Sequence, residues 1–128
     1  MERTKIVKFA ESTAAQCRWS EYAAELFGDW DVIWDESNAD YQGAVRFLAH
    51  KDGRFGFLSY SYGSCAGCDS WEGQDDGEIR KDFQNMAEFF DDVHVLKKFA
   101  EQVSYGAPFE RAVDEYWFHA NLEKKLEE

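Results

Sequence analysis

Basic residues are scarce in this sequence: 14 Lys and Arg stand against 26 Asp and Glu, and the formal net charge is −12. Proteins that bind nucleic acid directly rely on lysine and arginine to neutralise the phosphates. The charge balance therefore argues against direct nucleic-acid binding. It favours a partner whose own surface is basic.

Long apolar runs are also missing. No stretch approaches the roughly 18 to 20 residues that cross a bilayer, and the N-terminus leads into no signal-type segment. The three cysteines cannot all pair within one chain, so a disulfide scaffold is disfavoured. We therefore expect a cytoplasmic protein that does not bind a membrane.

The sequence contains no glycine-rich phosphate loop, no nucleophile elbow and no pair of histidines at metal-binding spacing. A calcium loop that begins at Asp69 fails, because Trp71 takes the third ligand position and Gln74 takes the place of the required glycine. We expect a protein that is not an enzyme and has no cofactor.

Aromatic residues are plentiful: they make up 17% of the 128 residues, enough for one domain over residues 1–128 with its own core. Apolar residues recur at helical spacing over residues 12–27, where Thr13 and Gln16 have the spacing of a capping box. On a helical wheel Cys17 lies opposite the apolar stripe, so we expect it to be exposed.

The middle of the chain is predicted to form antiparallel strands. Trp30, Val32 and Trp34 alternate with Asp31 and Asp35, and residues 41–50 and 54–62 form two longer runs around Asp52-Gly53. That dipeptide favours a two-residue hairpin turn, because both central positions need positive φ. The turn fixes the register of the two strands that it connects. Extended beyond the open ends of these strands, the same register pairs Asp40 with Cys65.

Helices are predicted after the strands. Asp75 is a candidate N-cap for a helix over residues 76–91, while residues 93–103 fit either a short helix or an edge strand. A last helix is predicted over residues 109–128. The fold class is therefore α+β: a small antiparallel meander of three to four strands, with an N-terminal helix and two to three C-terminal helices packed on one face.

Cys65 and Cys68 form a Cys-x-x-Cys motif that admits three interpretations. Zinc needs two further ligands, and the hairpin register excludes His50, which lies at the far end of strands roughly 30 Å long. Acidic neighbours raise a thiol pKa and disfavour a redox thiolate. We interpret the motif as a tight turn, and a small zinc or thiol-redox protein that uses both cysteines is the alternative.

The segment Tyr62-Gly63-Ser64-Cys65-Ala66-Gly67-Cys68-Asp69 resembles the Tyr-Gly-Ser-Cys-Ser-Gly-Cys-Asp segment of small uncharacterised phage and bacterial proteins. Ala66 replaces the more usual serine. The resemblance implies an accessory protein of a mobile element, a class that is often small, acidic and non-enzymatic.

Negative charge is concentrated in two blocks. Residues 29–40 hold five carboxylates and no basic residue, and residues 69–92 hold nine carboxylates against Arg80 and Lys81. The rest of the chain is formally neutral. Because the register places Asp40 beside Cys65, we expect both blocks to meet at the cysteine end of the sheet as one negative pole.

We predict that this pole binds a basic surface of a host protein, such as a nuclease or nucleic-acid-binding complex, in the manner of a nucleic-acid mimic or anti-CRISPR inhibitor. A solvated acidic surface that only maintains solubility is the alternative. Exposed tryptophans, with Trp30 as a further candidate, could anchor the interface. The predicted partner-binding residues are Asp31, Asp35, Glu36, Asp40, Asp69, Glu72, Asp75, Asp76, Glu78, Asp82, Trp34 and Trp71.

Overall fold

The computed structural model describes residues 6–40, 43–63 and 71–102. Within them the chain forms two 3₁₀ turns, Phe9–Glu11 and Thr13–Gln16, in addition to five strands and three α-helices. The strands are β1 (Val7–Lys8), β2 (Asp31–Asp35), β3 (Gly43–Lys51), β4 (Arg54–Tyr62) and β5 (Glu88–Phe90). The helices are α1 (Ser20–Phe27), α2 (Asp76–Met86) and α3 (Val93–Gln102).

The five strands form one antiparallel sheet in the order β1-β2-β3-β4-β5, which confirms the α+β prediction and adds short strands at both edges. β3 and β4 pair without interruption from Lys51 opposite Arg54 to Gly43 opposite Tyr62, the register predicted from the Asp52-Gly53 turn. Asp52 and Gly53 both have positive φ, as that turn requires. The predicted pairing of Asp40 with Cys65 lies outside the described residues.

The predicted helix over residues 12–27 is wrong in its first half. Residues 13–16 form a 3₁₀ turn without a side-chain cap, and α1 begins only at Ser20. Between them Trp19 has a left-handed backbone with φ of 70°. This conformation is unfavourable for a bulky residue and interrupts helical geometry, so the helical wheel does not hold across the break.

α2 begins as predicted. Asp75 is the N-cap, and its side chain accepts a 2.9 Å hydrogen bond from the backbone N–H of Glu78. The helix ends at Met86 instead of continuing to residue 91, because residues 88–90 pair with β4 as an edge strand. For residues 93–103, the structure forms a helix, α3, up to Gln102.

Apolar side chains pack on both faces of the sheet, whereas the sequence predicted all helices on one face. On the first face, α1 and α2 cover inward side chains of β3 and β4 such as Val45, Phe47 and Tyr60. On the second face, Leu96 and Phe99 of α3 pack with residues of the opposite parity in the strands. The second-face cluster consists of Ile33, Leu48, Phe55, Phe57, Phe90 and Leu96.

The helix predicted over residues 109–128 lies outside the described residues. Among the helices that the structure describes, none combines the length and the apolar character needed to cross a membrane.

Candidate functional site

The first acidic block is tied to the N-terminal segment at the end of β2. Asp35 accepts hydrogen bonds from the backbone N–H groups of Ala14 at 3.2 Å and Ser37 at 2.8 Å. Glu36 lies beside it and forms a 3.5 Å ion pair with Arg46. The end of β2 is thereby fixed against the second 3₁₀ turn.

The second acidic block contacts the same N-terminal segment from the other side. Arg18 forms an ion pair with Glu72, and the hydroxyl of Tyr22 donates a 2.5 Å hydrogen bond to Asp76. Parts of both blocks therefore lie against residues 14–22. We call this region the acidic end; its carboxylates are Asp35, Glu36, Asp40, Glu72, Asp75, Asp76 and Glu78.

At the opposite end of the sheet, around the Asp52-Gly53 turn, three carboxylates form ion pairs with cations. Lys51 pairs with Asp29, Lys8 pairs with Asp31 at 2.8 Å, and Arg54 pairs with Asp91 at 2.8 Å. The two acidic blocks thus run along the sheet and only partly converge. Asp31, which pairs in register with His50 beside the turn, is separated from the other candidate residues.

Several predicted binding carboxylates hold the fold together. Asp75 caps α2, Asp76 accepts from Tyr22, and Asp82 accepts a 2.9 Å bond from the indole N–H of Trp71. By contrast, the side chains of Asp40 and Glu78 are exposed and form no hydrogen bond or ion pair with the residues that the structure describes. Together with exposed Glu36, they are the carboxylates best placed to meet a partner.

The tryptophan predictions need correction. Trp71 is only 5% exposed, with its ring centroid 4.8 Å from that of Phe83 and 5.5 Å from that of Tyr60. Trp30 is also buried. Trp34 is half-buried, stacked on Phe57. Trp71 and Trp30 are core residues, and neither presents its ring to a partner.

Cys17 is buried, contrary to the prediction, because it lies in extended backbone between the second 3₁₀ turn and α1 and not within a helix. The single S–H of its thiol is shared between two carbonyl oxygens, that of Asn38 at 2.9 Å and that of Thr13 at 3.3 Å. Burial raises the pKa of the Cys17 thiol, which keeps it protonated. Its role is to join the 3₁₀ turn to the segment after β2.

Cys65, Cys68 and Asp69 lie outside the described residues. Within residues 6–40, 43–63 and 71–102, no three His, Cys, Asp or Glu side chains are grouped so that they could hold a metal ion. The zinc or thiol-redox alternative stays a prediction.

Comparison with protein-family models, curated proteins and solved structures finds no match.

Arg18 is the residue at this end that the sequence reasoning missed. It is the only basic residue between Lys8 and Arg46, a signal visible in the sequence. Its guanidinium donates a 3.1 Å hydrogen bond to the carbonyl of Gly63 in addition to pairing with Glu72. Among the described residues, Arg18 and Arg46 form ion pairs with carboxylates of the acidic end, and Arg80 interacts electrostatically with Asp76, so its seven carboxylates still outnumber the nearby cations.

Two tyrosines make the stability of this end sensitive to alkaline pH. The hydrogen bond to Asp76, followed by burial, raises the pKa of Tyr22 to about 12. Burial and the neighbouring Cys17 thiol raise the pKa of Tyr62 to about 12. Since both values exceed the ordinary pKa near 10, their stabilisation is complete below about pH 10 and is lost as the pH rises toward 12.

We expect denaturant unfolding to become easier across that pH window. In Asp76→Asn the tyrosinate absorbance of one tyrosine should appear at lower pH than in the wild type. An unchanged absorbance titration in this variant would show that Asp76 does not set the pKa of Tyr22.

Proposed function

We propose that the protein is a non-enzymatic binding protein that places its acidic end on a basic surface of a partner protein. The observation that supports this proposal is the contrast between the two ends of the sheet. Around the hairpin turn Asp31, Asp29 and Asp91 are paired with Lys8, Lys51 and Arg54. At the acidic end seven carboxylates are near Arg18, Arg46 and Arg80, which leaves a negative excess that attracts a basic surface.

The partner proposed is a cytoplasmic nuclease or other nucleic-acid-binding complex. Such proteins carry basic grooves that bind phosphates, and a rigid array of carboxylates competes for the same groove. The resemblance of residues 62–69 to phage and bacterial proteins favours an inhibitor of host defence, such as an anti-CRISPR protein. Inhibition would come from occupying the groove, without a reaction.

A charge-matched pair of variants tests the acidic end. The first neutralises Glu36, Asp40 and Glu78 by Glu→Gln and Asp→Asn changes; these side chains are exposed, none of them caps a helix, and of the three Glu36 forms an ion pair, with Arg46 at 3.5 Å. The control neutralises Asp29, Asp52 and Asp91 at the hairpin turn, so both variants have the same net charge. The probe is immobilised poly-L-lysine, measured at low and at high salt.

We expect the first variant to associate about tenfold more slowly than the wild type at low salt and the control to change little, because steering depends on the local field. The difference should shrink at high salt, which screens exposed charges. Equal losses in both variants would mean that only total charge matters, and the proposal of an oriented binding end would fail. Duplex DNA should also compete with the protein for a basic nuclease, and the first variant should compete less well than the control.

A further inference from the structure

Arg18 joins two parts of the chain that flank residues 64–70. One of its guanidinium nitrogens donates to the carbonyl oxygen of Gly63, at the end of β4, at 3.1 Å. Another pairs with the carboxylate of Glu72, which precedes α2. A single side chain therefore connects the end of β4 to the approach to α2.

The position of Arg18 is itself fixed by neighbouring contacts. Its backbone carbonyl accepts a 2.9 Å hydrogen bond from the hydroxyl of Tyr60 in β4. Its guanidinium lies 5.0 Å from the ring centroid of Trp19, whose ring packs edge-on against Trp71 with centroids 6.1 Å apart. The left-handed backbone of Trp19 is a strained conformation, which persists only where surrounding contacts determine it.

We infer that Arg18 is a positioning residue that sets where Glu72 and the start of α2 lie relative to β4 and the N-terminal segment. Loss of the guanidinium removes the link between Gly63 and Glu72 and leaves the carboxylate of Glu72 beside other negative charges. The consequence for partner binding rests on the proposed function. The positioning itself does not.

The sign of the effect on binding separates positioning from simple electrostatics. Arg18 is a cation within an acidic surface, so its removal should strengthen attraction to a basic probe if charge alone matters. If Arg18 positions the carboxylates, its removal should weaken binding despite the more negative charge. Arg80→Gln is the matched control, because Arg80 also forms a surface ion pair, at 2.9 Å to Glu25, and lies near an aromatic ring.

Amide hydrogen exchange without any partner tests the positioning. In Arg18→Gln we expect amides of residues 17–22 and 71–76 to exchange about threefold to tenfold faster, because losing a net hydrogen bond favours local opening by that factor. In Arg80→Gln the amides of residues 17–19 and 71–74 should keep their wild-type rates. Wild-type rates in Arg18→Gln, or equal acceleration of those amides in both variants, would overturn the inference.

Binding to poly-L-lysine then tests whether the positioning by Arg18 affects binding to a basic partner. We expect Arg18→Gln to bind about threefold more weakly than the wild type and Arg80→Gln to bind at least as tightly as the wild type. Tighter binding by Arg18→Gln would show that its charge outweighs its positioning role and would overturn the inference for binding. If the wild type does not bind poly-L-lysine while the exchange rates change as expected, the proposed function fails and the positioning role stands.

Discussion

The Trp71→Ala variant should lose about 3 to 5 kcal/mol of its free energy of unfolding, since removing a large buried aromatic side chain forfeits its transfer energy and leaves a cavity. Trp71 is 5% exposed and packs against Tyr60, Phe83 and Trp19. It thereby joins the sheet, α2 and the N-terminal segment. Urea unfolding followed by far-ultraviolet circular dichroism measures the loss.

Two further variants test whether this loss of stability comes from the buried ring of Trp71. Trp71→Phe keeps an aromatic ring but removes the N–H that donates to Asp82 at 2.9 Å, and we expect a loss of about 1 to 2 kcal/mol. Trp34→Ala should cost less than Trp71→Ala, because Trp34 is only half-buried. If Trp71→Ala kept its stability and instead lost partner binding, Trp71 would be the interface anchor that the sequence suggested.

Local signals in the sequence predicted the features that depend on neighbouring residues. Asp52-Gly53 determines both the turn and the full register of β3 and β4, because the two-residue loop leaves one pairing that matches the apolar pattern. Asp75 followed by Glu78 marks the start of α2 for a similar reason, since a cap acts within one turn. Neither feature needs a distant contact to form.

Features that depend on distant contacts were missed. Residues 88–90 continue the apolar spacing of α2, yet they pair with residues 55–57 of β4, more than thirty positions earlier in the chain. Nothing local distinguishes that edge strand from another helical turn. Likewise, the helical wheel that predicted an exposed Cys17 assumes an unbroken helix. The left-handed backbone of Trp19 breaks that helix, and the ring of Trp19 packs against those of Tyr22 and Trp71.

The candidate site also combines features that local sequence predicts with features that depend on distant contacts. The sequence identifies the two acidic blocks, but the distribution of their charge depends on which carboxylates have a cation nearby. Asp29, Asp31 and Asp91 are matched by Lys51, Lys8 and Arg54, each more than twenty positions away along the chain. Those pairs form because strand pairing brings them to the hairpin end, and they leave the negative excess at the other end.

Gly56 provides the second large effect on stability. It lies in β4 opposite Ala49, on the face covered by α1. A Cβ atom at this position would lie 2.3 Å from Cε1 of Phe27 and 3.2 Å from Cζ3 of Trp30. We expect Gly56→Ala to lower the free energy of unfolding by about 1 to 3 kcal/mol or more, because extra volume in a packed core forces side chains or backbone to shift.

Phe27 has little room to give way, because it is fully buried and its ring contacts those of Trp30, Phe47 and Phe89 with centroids 5.1 to 5.6 Å apart. A double-mutant cycle with Phe27→Leu tests whether this contact is the cause. If it is, Gly56→Ala should cost at least about 1 kcal/mol less in the Phe27→Leu background than in the wild type, since the smaller side chain leaves space for the new methyl group. Additive losses in the double variant would show instead that the backbone of β4, and not the ring of Phe27, limits what this position accepts.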